Sequence, residues 1–352
     1  MKPETMRGVA LTGHGGPECL EWREDLPRPA PMAGEVLIRV AAAGVNNTDI
    51  NTRVGWYSKG DNDAGDASWA GAPLRFPRVQ GIDVCGHIVA VGSGADPAQI
   101  GARVLVEPCL THAQGQMLAR PWFLGSECDG GFAEYCTVAA RHAYAISSPL
   151  SDVELASFPC SYSTAENMLT RTNLRDGETV LITGASGGVG SAAVQLAKAR
   201  GAQVAVITRA SKAQSLRDLG ADIVVDRDAN DVQTLGADSI DVVVDLVAGD
   251  MFPRLLNVLR PKGRYAVAGA VGGPMVSLDV RTLYLKDLSF FGCTALEQEV
   301  FGKLIKRIET GAIKPLVGAV FPLKDISAAQ RAFAEKNYTG KVVLTVADDK
   351  RN

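Results

Sequence analysis

The sequence predicts an α/β protein that combines a doubly wound parallel sheet with a second, β-rich domain. Three observations indicate this fold: a length of 352 residues, a first half with short apolar runs that end in glycine, and a middle part in which strands alternate with helices. A chain of this length exceeds what one hydrophobic core usually organises, so we expect two domains. Strands that alternate with helices form βαβ units around a parallel sheet.

The β-rich domain is predicted at residues 1–152. The runs VLIRVAAAGV (36–45) and VCGHIVAVGSG (84–94) have the apolar character and the glycines of strands that lead into turns. The stretch at 59–73 is rich in Gly, Asp and Ala, which predicts a long surface loop.

The doubly wound domain is predicted at residues 153–294. Its strands are apolar throughout, as expected where helices cover both faces of a parallel sheet. Strands are predicted at 179–183, 203–208, 222–226, 241–247, 263–269 and 288–294, and helices at 188–200 and 211–219. The last segment, 295–352, contains a predicted helix at 298–310 and a predicted strand at 340–346.

The composition argues against several functional classes. No apolar run approaches the roughly 18 residues of a membrane span, and the first residues lack the apolar core of a signal peptide, so we expect a cytoplasmic protein with reduced thiols. The seven cysteines agree with this, because their number is odd and no CxxC pair occurs. A net charge of -3 argues against a nucleic-acid partner. Small-molecule chemistry is the favoured function class.

The strongest chemical signal is TVLITGASGGVGSAAVQLAKARGAQVAVIT (179–208), which predicts a strand, a glycine turn, a helix and a second strand. Such a turn lets the backbone approach a pyrophosphate, and the helix presents its free N–H groups to that anion. Ala185, Gly187 and Gly190 occupy the three fingerprint positions of a Rossmann fold, with Ala185 in place of the usual first glycine. A plain turn is the alternative, but the flanking strand and helix argue against it.

The end of the second strand distinguishes the two nicotinamide cofactors, because an NAD site usually places an acid there to bind the ribose 2′-hydroxyl. This sequence has Thr208, followed by Arg209 and Lys212, with no carboxylate in the stretch. A neutral residue and two cations favour the 2′-phosphate of NADPH. The alternative is that both cations are solvated charges at the start of a helix.

Further segments carry a resemblance that extends over nearly the whole chain. They are GEVLIRVAAAGVNNTD (34–49), PRVQGIDVCGHIVAVGSG (77–94), GARVLV (101–106), GGFAEYCTV (130–138), LRPKGRYAVAG (259–269) and GKVVL (340–344). Together with the glycine turn, they resemble the medium-chain dehydrogenase/reductase superfamily, in its zinc-independent quinone oxidoreductase and enoyl reductase branch.

The resemblance implies a GroES-like catalytic domain that is completed by the C-terminal segment, with the Rossmann domain inserted and substrate bound in the cleft. It also implies a homodimer that pairs edge strands, for which LSFFGCT (288–294) is available. The cofactor contacts that it adds to the fingerprint and 2′-phosphate residues are Thr164, Ser186, Gly188, Val189, Gly269 and Lys341.

Zinc is not expected. A catalytic zinc site needs three protein ligands and an open position, and the positions that correspond to ligands in the zinc-dependent branch hold Asn46, Ile82 and Cys160. Asp83 is a possible substitute ligand, but two candidates fall short of three. The sequence therefore predicts no metal. Asp49 and Asp83 are expected instead to hold loop turns through hydrogen bonds to the backbone.

Without a Lewis acid, hydride attack on an activated C=C bond is more accessible than reduction of a simple ketone. The developing charge on the conjugated oxygen needs a hydrogen-bond donor, and Asn46, Thr48 and Tyr57 are the candidates. By resemblance of the stretch 44–57, Asn46 is the polar anchor and Tyr57 the donor. The alternative for Tyr57 is an aromatic residue packed at a domain edge.

These observations predict an NADPH-dependent reductase of quinones or of activated C=C bonds in enones and enoyl thioesters. Two alternatives remain open at this point. One is an alcohol dehydrogenase with an altered zinc site, and the other is a non-catalytic protein that binds NADPH.

Overall fold

The structure is a computed structural model and describes residues 4–58, 68–69, 73–227 and 234–346. The chain forms two compact units. The first unit comprises Met1–Cys160, Pro315–Asn337 and Lys341–Asn352, and the second comprises Ser161–Lys314 and Tyr338–Gly340.

Strands and helices are numbered in chain order over the described residues. The β-strands are β1 (Thr5–Leu11), β2 (Leu20–Pro27), β3 (Glu35–Val45), β4 (Arg78–Val79), β5 (Cys85–Val91), β6 (Arg103–Val106), β7 (Cys109–Ala113), β8 (Gln116–Phe123), β9 (Tyr135–Ala139), β10 (Ala143–Ala145), β11 (Thr179–Ile182), β12 (Gln203–Thr208), β13 (Ile223–Asp226), β14 (Ile240–Asp245), β15 (Leu259–Val267), β16 (Ser289–Gly292), β17 (Val317–Pro322) and β18 (Lys341–Thr345). The α-helices are α1 (Asn47–Arg53), α2 (Asp152–Leu155), α3 (Pro159–Arg171), α4 (Gly188–Lys198), α5 (Ala213–Asp218), α6 (Phe252–Val258), α7 (Val280–Leu285), α8 (Val300–Glu309) and α9 (Ile326–Glu335). Within the described ranges, none of these helices has both the length and the apolar character needed to cross a membrane.

The first unit is β-rich, as predicted. Its main sheet has the strand order β10-β6-β5-β3-β18-β17, with β9 also paired to β3. Strands β2, β1 and β4 form a second sheet, and β7 and β8 form a hairpin. Strand β3 is the centre of the main sheet because it pairs antiparallel with β5, β9 and β18. Most of its side chains are buried, which explains the long apolar run in the sequence.

The predicted surface loop at 59–73 falls largely on residues 59–67 and 70–72, which lie outside the described residues. Two residues of this stretch that the structure describes are not on the surface. Ser68 is buried and Trp69 is half-buried, because the backbone N–H of Trp69 donates to Ser126 Oγ (3.2 Å) and its ring packs on other aromatic rings of the unit. At Ser68 and Trp69 the expectation of a surface loop is therefore wrong.

The second unit contains a six-stranded parallel sheet with the order β13-β12-β11-β14-β15-β16. The chain reverses direction across the sheet between β11 and β14, which is the topological switch point of a Rossmann fold. The inner strands are buried on both faces, so their sequences are apolar without alternation. The predicted α/β fold is confirmed.

The segment after β16 divides between the two units. We predicted the end of the doubly wound domain at residue 294, whereas the second unit continues to Lys314. The side-chain amide of Asn167 explains the difference, because it donates to the carbonyl of Ala295 (2.9 Å) and accepts from the backbone N–H of Glu297 (3.1 Å). Helix α8 follows directly and buries its apolar face. Strands β17 and β18 and helix α9 then belong to the first unit.

The carboxyl-terminal edge of the Rossmann sheet is organised by Asp245, which is completely buried at the end of β14. Its carboxylate accepts hydrogen bonds from the hydroxyls of Thr183 (2.6 Å) and Tyr265 (2.5 Å) and from the backbone N–H groups of Val247 (2.8 Å) and Ala248 (3.1 Å). Burial and the neighbouring carboxylate raise the pKa of Tyr265, so its phenol stays a donor. This network holds together the ends of β11, β14 and β15, the edge at which Rossmann folds bind dinucleotides.

Candidate active site

A buried ion pair lies at the end of β3 in the first unit. The ammonium group of Lys341 donates to Asp83 Oδ2 (2.7 Å) and to Asn46 Oδ1 (2.5 Å), and the amide of Asn46 donates to the same Asp83 oxygen (2.8 Å). Asp83 is 0% and Lys341 2% exposed. A charge so far from water is costly unless it is paired and hydrogen-bonded, and each charge here has both kinds of partner.

Strand register brings two of these residues together. Val342 of β18 lies opposite Val45 of β3 in an antiparallel pair. One residue further along each strand, the same register places Lys341 opposite Asn46. The pairing of the C-terminal strand with the central strand of the sheet therefore places a cation beside the start of α1.

Asp83 reaches this position because Gly44 leaves room for it. A Cβ atom on Gly44 would lie 2.4 Å from Asp83 Oδ2, closer than any real contact. The other carboxylate oxygen, Oδ1, accepts from the backbone N–H of Cys160 (2.6 Å), at the start of α3. Asp83 thus connects β3, β18 and α3, beyond the turn-holding role that we expected for it.

Asn46 has its polar atoms engaged inside the unit. Its amide nitrogen donates to Asp83 and more weakly to the carbonyl of Gly44 (3.3 Å), while its amide oxygen accepts from Lys341. Its side chain is thereby fixed at the boundary between β3 and α1. Its role as the polar anchor of a reaction stays a prediction.

Asp49 has an unusual environment for a carboxyl group. It is buried, and one oxygen accepts from the backbone N–H of Asn46 (2.8 Å), which confirms the expectation that Asp49 holds the turn before α1. Burial raises the pKa of Asp49 to about 7. The backbone hydrogen bond from Asn46 opposes this rise, the carboxylate of Asp83 adds to it, and Lys341 opposes it.

Tyr57 has its hydroxyl near the side chains of Thr48 and Asn51 on helix α1. Burial raises the pKa of Tyr57 to about 12, although the neighbouring Thr48 and Asn51 side chains oppose this rise. The phenol is therefore protonated at neutral pH and can act as a hydrogen-bond donor. The structure thus brings Thr48 and Tyr57 together.

The three residues at the zinc-ligand positions do not fit a metal. Ile82 offers no donor atom, Asn46 is held by Lys341 and Asp83, and a single cysteine thiolate at Cys160 supplies too few ligands. In the part of the chain that the structure describes, no group of three or more His, Cys, Asp and Glu side chains is placed to hold a metal ion.

The glycine turn of the second unit has the geometry of a pyrophosphate site. The left-handed backbone conformation falls on Gly184 (φ 57°) and not on Ala185, so an alanine is tolerated at the first fingerprint position. Gly187 precedes the first turn of α4, and a Cβ atom there would contact one backbone oxygen at 3.4 Å. Helix starts of this kind bind phosphate through their free backbone N–H groups, which Gly188, Val189 and Gly190 supply here. Their contact with a cofactor stays a prediction.

The predicted 2′-phosphate residues lie at the end of β12. Thr208 is buried, whereas Arg209 is exposed. The ammonium group of Lys212 donates to the carbonyl of Tyr338 (2.7 Å), so part of its hydrogen-bonding capacity is already engaged within the second unit. We expected no carboxylate near this position, but β13 pairs Asp226 with Thr208. The sequence interpretation missed Asp226 because it considered only the residues that follow β12.

The other residues predicted to contact the cofactor are distributed over both units. Thr164 lies on α3. Gly269 follows β15, and a Cβ atom on Gly269 would lie 2.8 Å from the carbonyl oxygen of Leu246. Ser186 accepts from the backbone N–H of Gly340 (3.3 Å). The tripeptide Tyr338–Gly340 therefore contacts the glycine turn and Lys212, which the sequence did not indicate. Lys341, the next residue, belongs to the first unit and is engaged with Asn46 and Asp83.

Comparison with known proteins agrees with both units. Residues 32–148 match the alcohol dehydrogenase GroES-like domain family, and residues 188–310 match the zinc-binding dehydrogenase family. Human quinone oxidoreductase is 30% identical over 96% of this chain and 97% of its own length. Acryloyl-coenzyme A reductase from Metallosphaera sedula is 33% identical over 97% of this chain and 100% of its own length.

The chain belongs to the medium-chain dehydrogenase/reductase superfamily, in its quinone oxidoreductase and enoyl reductase branch. A crystal structure of a provisionally named alcohol dehydrogenase from Sinorhizobium meliloti 1021 is also similar, with a TM-score of 0.90 and 47% identity over 98% of each chain. Members of this superfamily bind nicotinamide cofactors, and this medium-chain dehydrogenase/reductase is an oxidoreductase.

Replacing Asp49 with asparagine should remove a pH dependence of stability. Folded Asp49 keeps its proton up to about pH 7, whereas an unfolded aspartate loses it near pH 3.8. The stabilisation by protonated Asp49 is complete below the unfolded pKa and is lost as the pH rises to the folded pKa. The free energy of unfolding of the wild type should therefore fall, relative to Asp49→Asn, by up to about 1.4 kcal/mol per pH unit in this interval.

Urea unfolding of both proteins at pH 5, 6 and 7 measures this difference. Glu21→Gln, at an exposed position of β2, is the control for loss of a carboxylate and should run parallel to the wild type. Parallel curves for Asp49→Asn as well would show that Asp49 is ionised throughout.

Proposed function

We propose that the protein is an NADPH-dependent reductase of quinones or of activated C=C bonds, and that it works without zinc. One observation carries this proposal. Where the zinc-dependent branch has metal ligands, this chain has Asn46 and Ile82, and the ammonium group of Lys341 is hydrogen-bonded to Asn46 at 2.5 Å. A hydrogen-bonded network that includes the amide of Asn46 is thus present where we expect the zinc-dependent branch to hold its Lewis-acidic metal.

The substrate class follows from the missing Lewis acid. A conjugated C=C bond accepts a hydride at its β-carbon because the carbonyl or quinone oxygen can take up the electron pair. NADPH, when bound, supplies that hydride with its two electrons. In an enone or enoyl thioester, the enolate that forms gains one proton at its α-carbon, which completes the reduction. In a quinone, the same hydride and one proton give the hydroquinone.

Tyr57 is the candidate donor to the substrate oxygen. Its phenol is protonated at neutral pH, and its hydroxyl lies near Thr48 and Asn51. A hydrogen bond to the developing oxyanion is stronger in the transition state than in the ground state, which is the condition for accelerating the step. Asn46 supports this arrangement from the beginning of α1.

The relatives support both substrate classes. One is named for the reduction of quinones and another for that of acryloyl-coenzyme A, an enoyl thioester. A second candidate, alcohol oxidation, is favoured by the name given to the Sinorhizobium meliloti structure at 47% identity. Turnover on a panel of quinones, enones, enoyl thioesters and alcohols distinguishes these substrates.

We also propose that the protein is a homodimer. Among the described strands, β16 pairs with β15 alone, so it is an edge strand of the Rossmann sheet. Strand β16 and the segment before it carry a group of exposed large apolar side chains. They are Val271, Met275, Val276, Leu278, Val280, Tyr284, Leu285 and Phe290. An apolar group beside an unpaired strand edge is poorly soluble when left open, and pairing of two copies covers it.

NADPH should bind more tightly than NADH, and Arg209→Ala should remove much of this preference. A charge-assisted hydrogen bond to the 2′-phosphate is worth about 1.5 to 3 kcal/mol, or about tenfold or more in affinity. Fluorescence titration with both cofactors gives the two affinities. Arg217→Ala, which removes an exposed cation from α5, should keep the preference. Equal affinities in the wild type would contradict the proposed specificity.

Tyr57→Phe should slow the reduction of an enone such as 2-cyclohexenone by about 10² to 10⁴ in kcat, because general-acid assistance is lost. NADPH affinity should stay unchanged, since the phenol acts only in the transition state. A quinone is more electrophilic and needs less assistance, so its turnover should fall less.

Steady-state kinetics with both substrates measures this difference. Tyr135→Phe is the matched control, because it removes the hydroxyl of another half-buried tyrosine in the first unit. Unchanged rates for Tyr57→Phe on every substrate would show that Tyr57 has a packing role and no part in catalysis.

The wild type should sediment as a dimer at micromolar concentration, and Leu285→Glu should shift it toward the 37.1 kDa monomer. The reason is that a carboxylate would be buried in the apolar contact without a partner. Met117→Glu changes an equally exposed apolar residue of the first unit and should leave the dimer intact. A wild-type monomer in analytical ultracentrifugation would refute the proposed assembly.

A further inference from the structure

Three aromatic rings form a stack in the first unit. The ring of Trp69 is nearly parallel to that of Tyr57, with centroids 5.6 Å apart and an interplanar angle of 7°. It also stacks with the ring of Phe123, with centroids 4.1 Å apart and an angle of 15°. Stacked aromatic pairs contribute about 0.5 to 1.5 kcal/mol beyond the burial of their area.

Trp69 is held by its backbone as well as by its ring. Its N–H group donates to Ser126 Oγ (3.2 Å), and the preceding residue, Ser68, is buried. The indole therefore has a fixed position on the first unit.

Phe123 provides a rigid base for the stack. It is the last residue of β8, it is 4% exposed, and its backbone N–H donates to Glu127 Oε2 (2.7 Å). Its partner in the hairpin is Cys109 of β7. The indole thus rests on regular secondary structure.

Tyr57 is held through its ring. Its hydroxyl lies near Thr48 and Asn51, which are one turn apart on α1. Its ring lies against Trp69, and Trp56 meets it at an angle of 84°. These ring contacts restrict the orientation of the phenol.

The ring of Trp69 is engaged by two other rings of the first unit. It stacks with both Tyr57 and Phe123, so its contact with Tyr57 is supported by a buried residue of β8.

We infer that Trp69 is a positioning residue that fixes the Tyr57 phenol in the orientation required to protonate or hydrogen-bond the substrate oxygen. The inference rests on the proposed role of Tyr57. Since a small displacement of a reacting group can cost a large factor in rate, Trp69 also sets the preference of the enzyme for enones relative to quinones.

The test is steady-state kinetics of Trp69→Leu with 2-cyclohexenone and with 1,4-benzoquinone, each as a function of NADPH and substrate. We expect kcat for the enone to fall about 10- to 100-fold, with little change in KM or in quinone turnover. Trp69→Phe, which keeps a flat ring, should restore most of the enone rate. Trp22→Leu removes an exposed tryptophan from β2 and is the control.

The double variant Tyr57→Phe/Trp69→Leu separates the inference from the function on which it rests. If Trp69 acts through Tyr57, the double variant should be no slower on the enone than Tyr57→Phe alone. Wild-type rates for Trp69→Leu beside a slow Tyr57→Phe would overturn the inference and leave the proposed function intact. A Tyr57→Phe variant with full activity would overturn both the inference and the proposed role of Tyr57, whereas a wild type that reduces neither substrate would contradict the proposed function itself.

An equal loss on enone and quinone, without rescue by Trp69→Phe, would assign Trp69 a merely structural role and overturn the inference. If Trp69→Leu does not fold, Phe123→Leu tests the same inference, because it removes the other ring that stacks with the indole. It should lower the enone kcat in the same direction and spare the quinone, and an unaltered ratio of the two rates would contradict the inference.

Discussion

The ion pair between Lys341 and Asp83 is the interaction on which the first unit depends at its candidate site. Both charges are removed from water, and each is compensated by the other and by Asn46. Because Asp83 also accepts from the backbone of Cys160, one carboxylate fixes the end of β3, the start of β18 and the start of α3. Loss of either charge would leave the other buried without a counter-ion, a change that typically costs about 3 to 5 kcal/mol.

The chemistry that we propose follows from this arrangement. The network fixes Asn46, Asn46 fixes the start of α1, and α1 places Thr48 and Asn51 near the hydroxyl of Tyr57. The result is a protonated phenol, and the described part of the chain contains no group of three or more potential metal ligands beside it. Such a site can stabilise charge on a conjugated oxygen, whereas a simple alcohol or ketone would need a stronger electrophile.

Much of the fold was predictable because the relevant signals are local. The strands around the glycine turn are apolar on both faces, and the turn needs glycine at 184, so the Rossmann unit could be read from residues 179–208. Contacts distant in sequence were not predictable. Trp69 lies in a stretch without periodicity, Asp226 reaches Thr208 only through strand pairing, and the amide of Asn167 holds the segment after residue 294. None of these pairings has a signature in the sequence.

The central claim is that hydride transfer to a conjugated substrate takes place without zinc. The most direct measurement is NADPH oxidation with 2-cyclohexenone by protein purified without chelator, whose zinc content is determined by mass spectrometry, before and after treatment with EDTA. We predict well under one zinc ion per chain and the same rate before and after EDTA. Stoichiometric zinc, with activity lost on chelation and restored by added zinc, would contradict the claim.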